Sequence, residues 1–302
     1  MKCSYSAHGK VILIGEHSVV YGYNALALPI TSLQITATVE PSKQVWLSTG
    51  KYQGPFFAAP DEYNGLKFVV KTLLAKAIKE PPVKITYTGE IPIERGLGSS
   101  ATVALATTKA LGEYLTLNLT ESDVMAITNQ AEMINHGKAS GIDAATVNSD
   151  LPIFFNPQTG AHSLPAKLKA TLLIMDTGEL GNTKQAVTQV RQQTNKSQTA
   201  QDNIKLLGQL TDVAKVAWLR QDQTKLGQVF NEAQAILHSF NLSTKKIDNL
   251  NTIALNSQAL GFKLSGSGLG GIVIALCPNS AIAQTIALKS QGLITNYWIE
   301  EI

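Results

Sequence analysis

The sequence predicts an α+β protein of two domains, and three observations carry that prediction. A chain of 302 residues is long enough for more than one hydrophobic core. Strand-like and helix-like stretches mix along it without the regular alternation of a doubly wound sheet. The texture changes after the turn cluster Asn156-Pro157-Gln158-Thr159-Gly160, beyond which comes a long helical region rich in Gln, Ala and Leu. The expected division is a first domain over residues 1–165 and a second over 166–302.

In the first domain Lys10–Ile14, Leu33–Val39 and Val83–Tyr87 are rich in β-branched or apolar residues and read as strands. Leu66–Ile78 reads as a helix, stopped by Glu80-Pro81-Pro82. A second helix runs from Ser99 to about Tyr114, where Val103, Ala106, Ala110, Leu111 and Tyr114 recur at helical spacing. A third spans Glu121–Asn135, with Thr120 and Asp123 as its starting signature and Val124, Ile127, Ala131 and Ile134 as its inner face. His136-Gly137 ends it.

In the second domain a strand at Thr171–Met175 precedes a helical region from about Thr183 to Phe240. A shorter helix, Asp248–Leu260, stops at Gly261, a suitable residue just past a helix end. Then come Phe262–Leu264, a glycine-rich bend, the apolar strand Ile272–Leu276, a helix near Ala281–Lys289 and a last strand near Ile294–Ile299.

Composition excludes several functions. Lys plus Arg number 25 against 22 Asp plus Glu, and a net charge of +3 makes no case for nucleic acid or a membrane surface as partner. No apolar run approaches a membrane span, and Val11–Ile14 is too short for a signal peptide. Cys3 and Cys277 supply neither a disulfide framework nor a metal cluster, so a reducing cytoplasm is the expected location.

The most informative stretch is Pro92-Ile93-Glu94-Arg95-Gly96-Leu97-Gly98-Ser99-Ser100-Ala101. Glycines let the backbone turn tightly and leave its N–H groups uncovered, and a helix N-terminus adds partial positive charge. Together they suit phosphate oxygens. The spacing is not that of a Walker A loop. The plainer alternative is a loop capped by Ser99 or Ser100.

Four other clusters keep this loop company. Lys10 opens an apolar strand that ends in Gly15-Glu16-His17; its amine is either a point charge for a phosphate or alkoxide, or a flank that snorkels to water. Glu132 lies near the C-terminal end of its helix, where a carboxylate opposes the dipole and needs a basic side chain or a divalent cation. Asp143, between Gly141-Ile142 and Ala144-Ala145, is either a helix cap or a base for an alcohol in phosphoryl transfer. Ser265-Gly266-Ser267-Gly268-Leu269-Gly270-Gly271 is either a second phosphate-facing loop or a glycine-rich hairpin turn.

The order of these clusters resembles the GHMP kinase superfamily. Gly9-Lys10-x-x-Leu13-x-Gly15-Glu16-His17, Gly96-Leu97-Gly98-Ser99-Ser100-Ala101 and the late glycine loop carry the resemblance. Gly15 to Gly22, His136-Gly137-x-x-Ser140-Gly141-x-Asp143, and Asp176-Thr177-Gly178 followed by Gly181-Asn182-Thr183-Lys184 are similar to its mevalonate-phosphorylating branch.

The resemblance implies a two-domain GHMP kinase fold, with an N-terminal ribosomal-protein-like α+β domain and a C-terminal ferredoxin-like α+β domain. It implies ATP-dependent conversion of mevalonate to 5-phosphomevalonate, on the route to isoprenoids, with ATP and Mg²⁺ as cofactors. Asp143 and Lys10 would be catalytic. Gly96, Leu97, Gly98, Ser99, Ser100 and Ala101 would bind ATP, and Ser100 and Glu132 would hold Mg²⁺. Glu16, His17 and Thr183 would contact the acceptor. The expected partners are small molecules, with a homodimer left open.

His8 stands where the family usually has Pro, Lys138-Ala139 where it has Asn-Pro, and Leu269 where it often has Gly. A sugar acceptor is less in keeping with Ser18-Val19 after Gly-Glu-His, and a phosphorylated acceptor would need further cations. A ligand-binding regulator without catalysis should have lost Lys10, Asp143 or the Mg²⁺ pair.

Overall fold

A computed structural model describes residues 2–89, 91–92, 95–136, 140–164 and 167–302. Strand β1 (Cys3–Ile14) is longer than the apolar run that predicts it, because its polar N-terminal half alternates between buried and exposed faces. After a short 3₁₀ turn at Ser18–Tyr21 come β2 (Ala25–Pro41), β3 (Trp46–Ser48) and β4 (Gln53–Pro55). Helix α1 (Asn64–Leu74) ends before the predicted Ile78, which has no apolar surface to cover and stands fully exposed. Strand β5 (Val83–Gly89) follows.

Helix α2 (Ser99–Tyr114) starts where its periodicity begins, but Gly98 and no serine side chain sits at the cap position. Helix α3 (Glu121–His136) opens on the expected signature: Thr120 N–H donates to Asp123 Oδ2 (2.9 Å) and Asp123 N–H donates to Thr120 Oγ1 (3.1 Å). Val124, Ile127 and Ala131 are buried as expected, whereas Ile134 is exposed. Helix α4 (Ile142–Val147) and the hairpin of β6 (Ile153–Asn156) and β7 (Gly160–Ser163) lead to β8 (Thr171–Asp176).

The long helical region is three helices, α5 (Thr183–Thr194), α6 (Gln198–Leu219) and α7 (Gln223–Ser239). Ser197 and Asp222 break it, each accepting a backbone N–H of the following helix as an N-cap, a competition that periodicity alone does not register. Helix α8 (Lys245–Asn256) begins earlier than predicted because Thr244 caps it. Gly261 is not its stop but the first residue of β9 (Gly261–Ser265). A Cβ at Gly261 would lie 2.2 Å from the Gly227 carbonyl oxygen, so this glycine serves close packing of α7 on the strand. Strand β10 (Ile272–Cys277), helix α9 (Ser280–Lys289) and strand β11 (Asn296–Glu301) complete the chain.

The residues form two compact units. One comprises Met1–Lys10, Pro29–Ile93 and Gly98–Asp150; the other comprises Val11–Leu28, Glu94–Leu97 and Leu151–Ile302. The expected boundary at Pro165 and Ala166 lies outside the described residues. In the first unit, β2 pairs antiparallel with β5 from Ile35↔Gly89 to Pro41↔Val83, and β3 runs parallel to β5. Helices α1, α2 and α3 pack on one another, and Val70, Leu73, Ala104, Leu105 and Leu111 share a core with the sheet residues Val39, Leu47 and Ile85. This is an α+β layer arrangement.

In the second unit, four strands lie in the order β11-β8-β10-β9, all pairs antiparallel. Numbered within the unit this is 4-1-3-2, the ferredoxin-like order. Every residue of β8 and β10 is buried, which explains their unbroken apolar runs, and α7, α8 and α9 cover the sheet. Among the described residues no helix is long and apolar enough to cross a membrane.

Gly15, at the end of β1, has φ +105°, and a Cβ there would lie 2.5 Å from Ala25 Cα. Gly15→Ala therefore combines backbone strain with overpacking against main chain, and is expected to cost about 3 kcal/mol. The check is the urea midpoint, which should fall without a change in slope; an unmoved midpoint would contradict the packing described.

Candidate active site

In the first unit, β1 carries Lys10 inward. Its side chain is only 3% exposed, so the lysine does not snorkel to water, and its Nζ lies 3.0 Å from Asp143 Oδ1. Asp143 is the second residue of α4, whose cap position is Gly141 with no side-chain bond; the carboxylate is thus free of the capping role and turned to the lysine. Gly98 completes the group. It has φ +72°, and a Cβ there would lie 2.8 Å from Lys10 Cγ, so the lysine stem requires glycine at that point.

The start of α2 is held to the same strand. Thr102 Oγ1 donates to the His8 carbonyl (3.0 Å) and Thr102 N–H to the Gly98 carbonyl (2.9 Å). Gly96 and Gly98 both have positive φ, and Ser99 and Ser100 lie inside the first turn, so neither is the cap that the plainer reading required. A glycine turn running into a helix N-terminus directs backbone N–H groups outward, an arrangement suited to anionic oxygens. Leu97 and Ala101 are fully buried and anchor it.

Glu132 on α3 is buried at 5% exposure, and Ser100 carries its hydroxyl on the first turn of α2. A hydroxyl and a carboxylate are hard oxygen donors, the chemistry Mg²⁺ prefers. Among the described residues no cluster of three or more His, Cys, Asp or Glu could hold a metal, so these two side chains by themselves do not make a complete metal site. Lys138 and Ala139, two of the departures from the family pattern, lie outside the described residues. His8 approaches Asp150 at 4.0 Å.

In the second unit, Glu16 and His17 lie in the turn after β1, yet both are buried. Glu16 Oε1 takes a short hydrogen bond from Lys263 Nζ, which is fully buried on β9 and also donates to the Leu264 carbonyl at 2.6 Å. Burial pushes the Lys263 ammonium down from its ordinary pKa, while Glu16 draws it back up. The other oxygen of Glu16 is buried without a hydrogen-bond partner among the described residues.

His17 has φ +59° and donates from Nε2 to the Ser267 carbonyl (2.9 Å). Burial holds its pKa below the ordinary histidine value, the charge of Lys263 adds to this, and the Ser267 bond opposes it. Thr183, exposed at the start of α5, meets Ser267 Oγ at 3.2 Å, so one residue of the late glycine loop links His17 and Thr183. That loop is also the hairpin connection between β9 and β10.

Sequence reasoning missed three residues. Lys263 was readable as a lone lysine inside the apolar strand Phe262–Leu264. Arg95 directs its Nε to Asp176 Oδ2 (3.4 Å), at the turn after β8. Asn135 bridges Gly65 and Ser100, and nothing in its sequence context marks it.

Two family models match: GHMP kinases N terminal domain over residues 64–149 and GHMP kinases C terminal over 214–290. A mevalonate kinase of Pyrococcus horikoshii is 30% identical, with 95% of this chain and 92% of that protein covered. The crystal structure of mevalonate kinase from Staphylococcus aureus MRSA252 is 29% identical with a TM-score of 0.77, covering 99% of this chain and 98% of that one. The L. major mevalonate kinase, solved in complex with R-mevalonate, shares the fold at a TM-score of 0.85 and 24% identity, over 98% of this chain and 94% of that one.

Two stability predictions follow from the second unit. Lys263→Met leaves the Glu16 carboxylate buried and uncompensated and should cost about 3–5 kcal/mol, whereas the double variant with Glu16→Gln should recover most of it. Equal losses in the single and double variants would assign the effect to packing of the lysine stem. For His17, a folded-state pKa below the unfolded value means that the unfolded chain binds the proton more readily. Its contribution is present above about pH 6.5 and is lost as pH falls below it. His17→Asn, which also accommodates positive φ, should flatten the stability profile below about pH 6.5; a profile that keeps its slope would place the titration elsewhere.

Proposed function

The chain belongs to the GHMP kinases, and on that premise we propose that it transfers the γ-phosphoryl group of ATP to the 5-hydroxyl of mevalonate, giving 5-phosphomevalonate and ADP. The observation that carries this reading is the buried Lys10, whose ammonium lies 3.0 Å from Asp143 and whose stem packs against Gly98 of the glycine turn. A carboxylate and a cation held together beside a phosphate-binding backbone are what an alcohol needs to become a nucleophile.

In this mechanism Asp143 Oδ accepts the proton of the acceptor hydroxyl, and Lys10 stabilises the negative charge that grows on its oxygen. That oxygen forms a bond to the γ-phosphorus as the bond to the ADP oxygen breaks. Backbone N–H groups from Gly96 to Ala101 hold the transferring phosphates. Ser100 and Glu132 are the residues assigned to Mg²⁺, which when bound neutralises charge on the β- and γ-phosphates. Glu16, His17 and Thr183 are assigned to the acceptor; the unpaired buried oxygen of Glu16 is a ready partner for a substrate O–H. The reaction is assigned to the cytoplasm, in keeping with two free, buried cysteines.

A coupled ADP-release assay with ATP and Mg²⁺, run separately with mevalonate, phosphomevalonate, galactose and homoserine, should show turnover with mevalonate alone. Turnover with another of the four would keep the chemistry and replace the acceptor. Asp143→Asn should lower kcat by about 10²–10⁴-fold with little change in thermal midpoint. Near wild-type kcat in that variant would remove Asp143 from the mechanism.

A further inference from the structure

Asn135, one residue before the end of α3, makes two hydrogen bonds with different consequences. Its Oδ1 accepts the Gly65 N–H at 2.9 Å, and its Nδ2 donates to Ser100 Oγ at 2.8 Å. The assignment of the amide is forced. A backbone N–H can only donate, so the amide oxygen faces Gly65 and the amide nitrogen faces Ser100. Ser100 Oγ therefore accepts from Asn135 through one lone pair. It keeps the second lone pair and its own O–H for other partners.

The bridge is built to leave little freedom. A Cβ at Gly65 would lie 2.6 Å from both the Ala131 carbonyl and Asn135 Oδ1, so glycine there lets α1 and α3 approach closely enough for the bond to form. Gly65, Ser100 and Asn135 sit on α1, α2 and α3, which pack on one another in the first unit. Asn135 itself is exposed, where a hydrogen bond contributes little to stability. The arrangement is better matched to setting the direction of a hydroxyl than to holding helices together.

We propose that Asn135 is a positioning residue for the nucleotide-bound cation: it orients Ser100 so that one lone pair is presented to Mg²⁺ and the hydroxyl proton is turned away from it. The proposal rests on the reading of Ser100 as a Mg²⁺ ligand. It concerns a residue outside the motifs that carry the family resemblance.

The test is calorimetric binding of a non-hydrolysable ATP analogue to the full chain, with and without Mg²⁺, in wild type, Asn135→Ala, Asn135→Asp and Ser100→Ala. The quantity read is the factor by which Mg²⁺ tightens nucleotide binding. Asn135→Ala should reduce that factor about fivefold, the scale of one hydrogen bond, with metal-free binding and the KM for mevalonate unchanged. Asn135→Asp keeps the acceptor for Gly65 and adds a charge that attracts cations. It has no donor for Ser100, which must turn its O–H toward the new carboxylate. On the proposal that bond still turns the hydroxyl proton away from Mg²⁺, so Asn135→Asp keeps or increases the Mg²⁺ enhancement and keeps its thermal midpoint. Wild-type enhancement in Asn135→Ala, or a loss of enhancement in Asn135→Asp, would overturn the role given to Asn135. If Ser100→Ala also leaves the factor unchanged, the Ser100 reading fails and the proposal fails with it. If only Ser100→Ala loses enhancement, the failure belongs to Asn135 alone.

Discussion

A single buried charge organises the first unit. An ammonium carried inward on a strand cannot stay there alone, because removing it from water without a partner costs several kcal/mol. Lys10 is only 3% exposed, and Asp143 supplies the partner. From that requirement much else follows. The carboxylate must come from the first turn of a helix close to β1, which places α4. The lysine stem needs a neighbour without a side chain, which places Gly98 and with it the glycine turn and the N-terminus of α2. The same interaction that makes the pair tolerable inside the protein is the one that the proposed mechanism turns on an alcohol and a phosphate.

The second unit solves a similar problem differently. Lys263 is fully buried on a strand of a four-stranded sheet, and Glu16 reaches it from the residue after Gly15. The Lys263 side chain is 0% exposed and that of Glu16 1%. Here the ions set the shape of a polar cluster inside an otherwise apolar core, with Gln234 Oε1 accepting the Leu264 N–H (2.9 Å) beside it. Such a cluster fixes where its members sit, because any displacement leaves a charge without compensation.

Much of this was legible in the residues. The strand around Lys10, the limits of α2 and the Thr120–Asp123 start of α3 follow from periodicity and capping chemistry. The sequence order of the Gly-Glu-His turn, the glycine–serine loop and Asp143 marked the family. What was not legible depended on contacts between residues far apart in the chain. Whether Asp143 capped a helix or faced a lysine could not be decided from its neighbours, since both readings fit an Asp after Gly141-Ile142. Gly261 looked like a helix stop because glycine often is one; its use in letting α7 approach β9 needs the position of Gly227, 34 residues earlier. Asn135 carried no signal at all, because an asparagine near a helix end is ordinary until its two partners are known.

The composition of the two units bears on how the chain can be divided. Residues 11–28 and 94–97 cluster with the C-terminal half although they precede it, and β1 passes from one unit to the other immediately after Lys10. A single cut in the polypeptide therefore cannot release either unit whole: a C-terminal fragment would lack Glu16, the counter-ion of Lys263, and an N-terminal fragment would carry the Gly15–Tyr23 segment without the helices it packs on. The two units are interleaved in sequence, so recombining halves from two relatives at a single junction would exchange the partners of the buried Glu16–Lys263 pair.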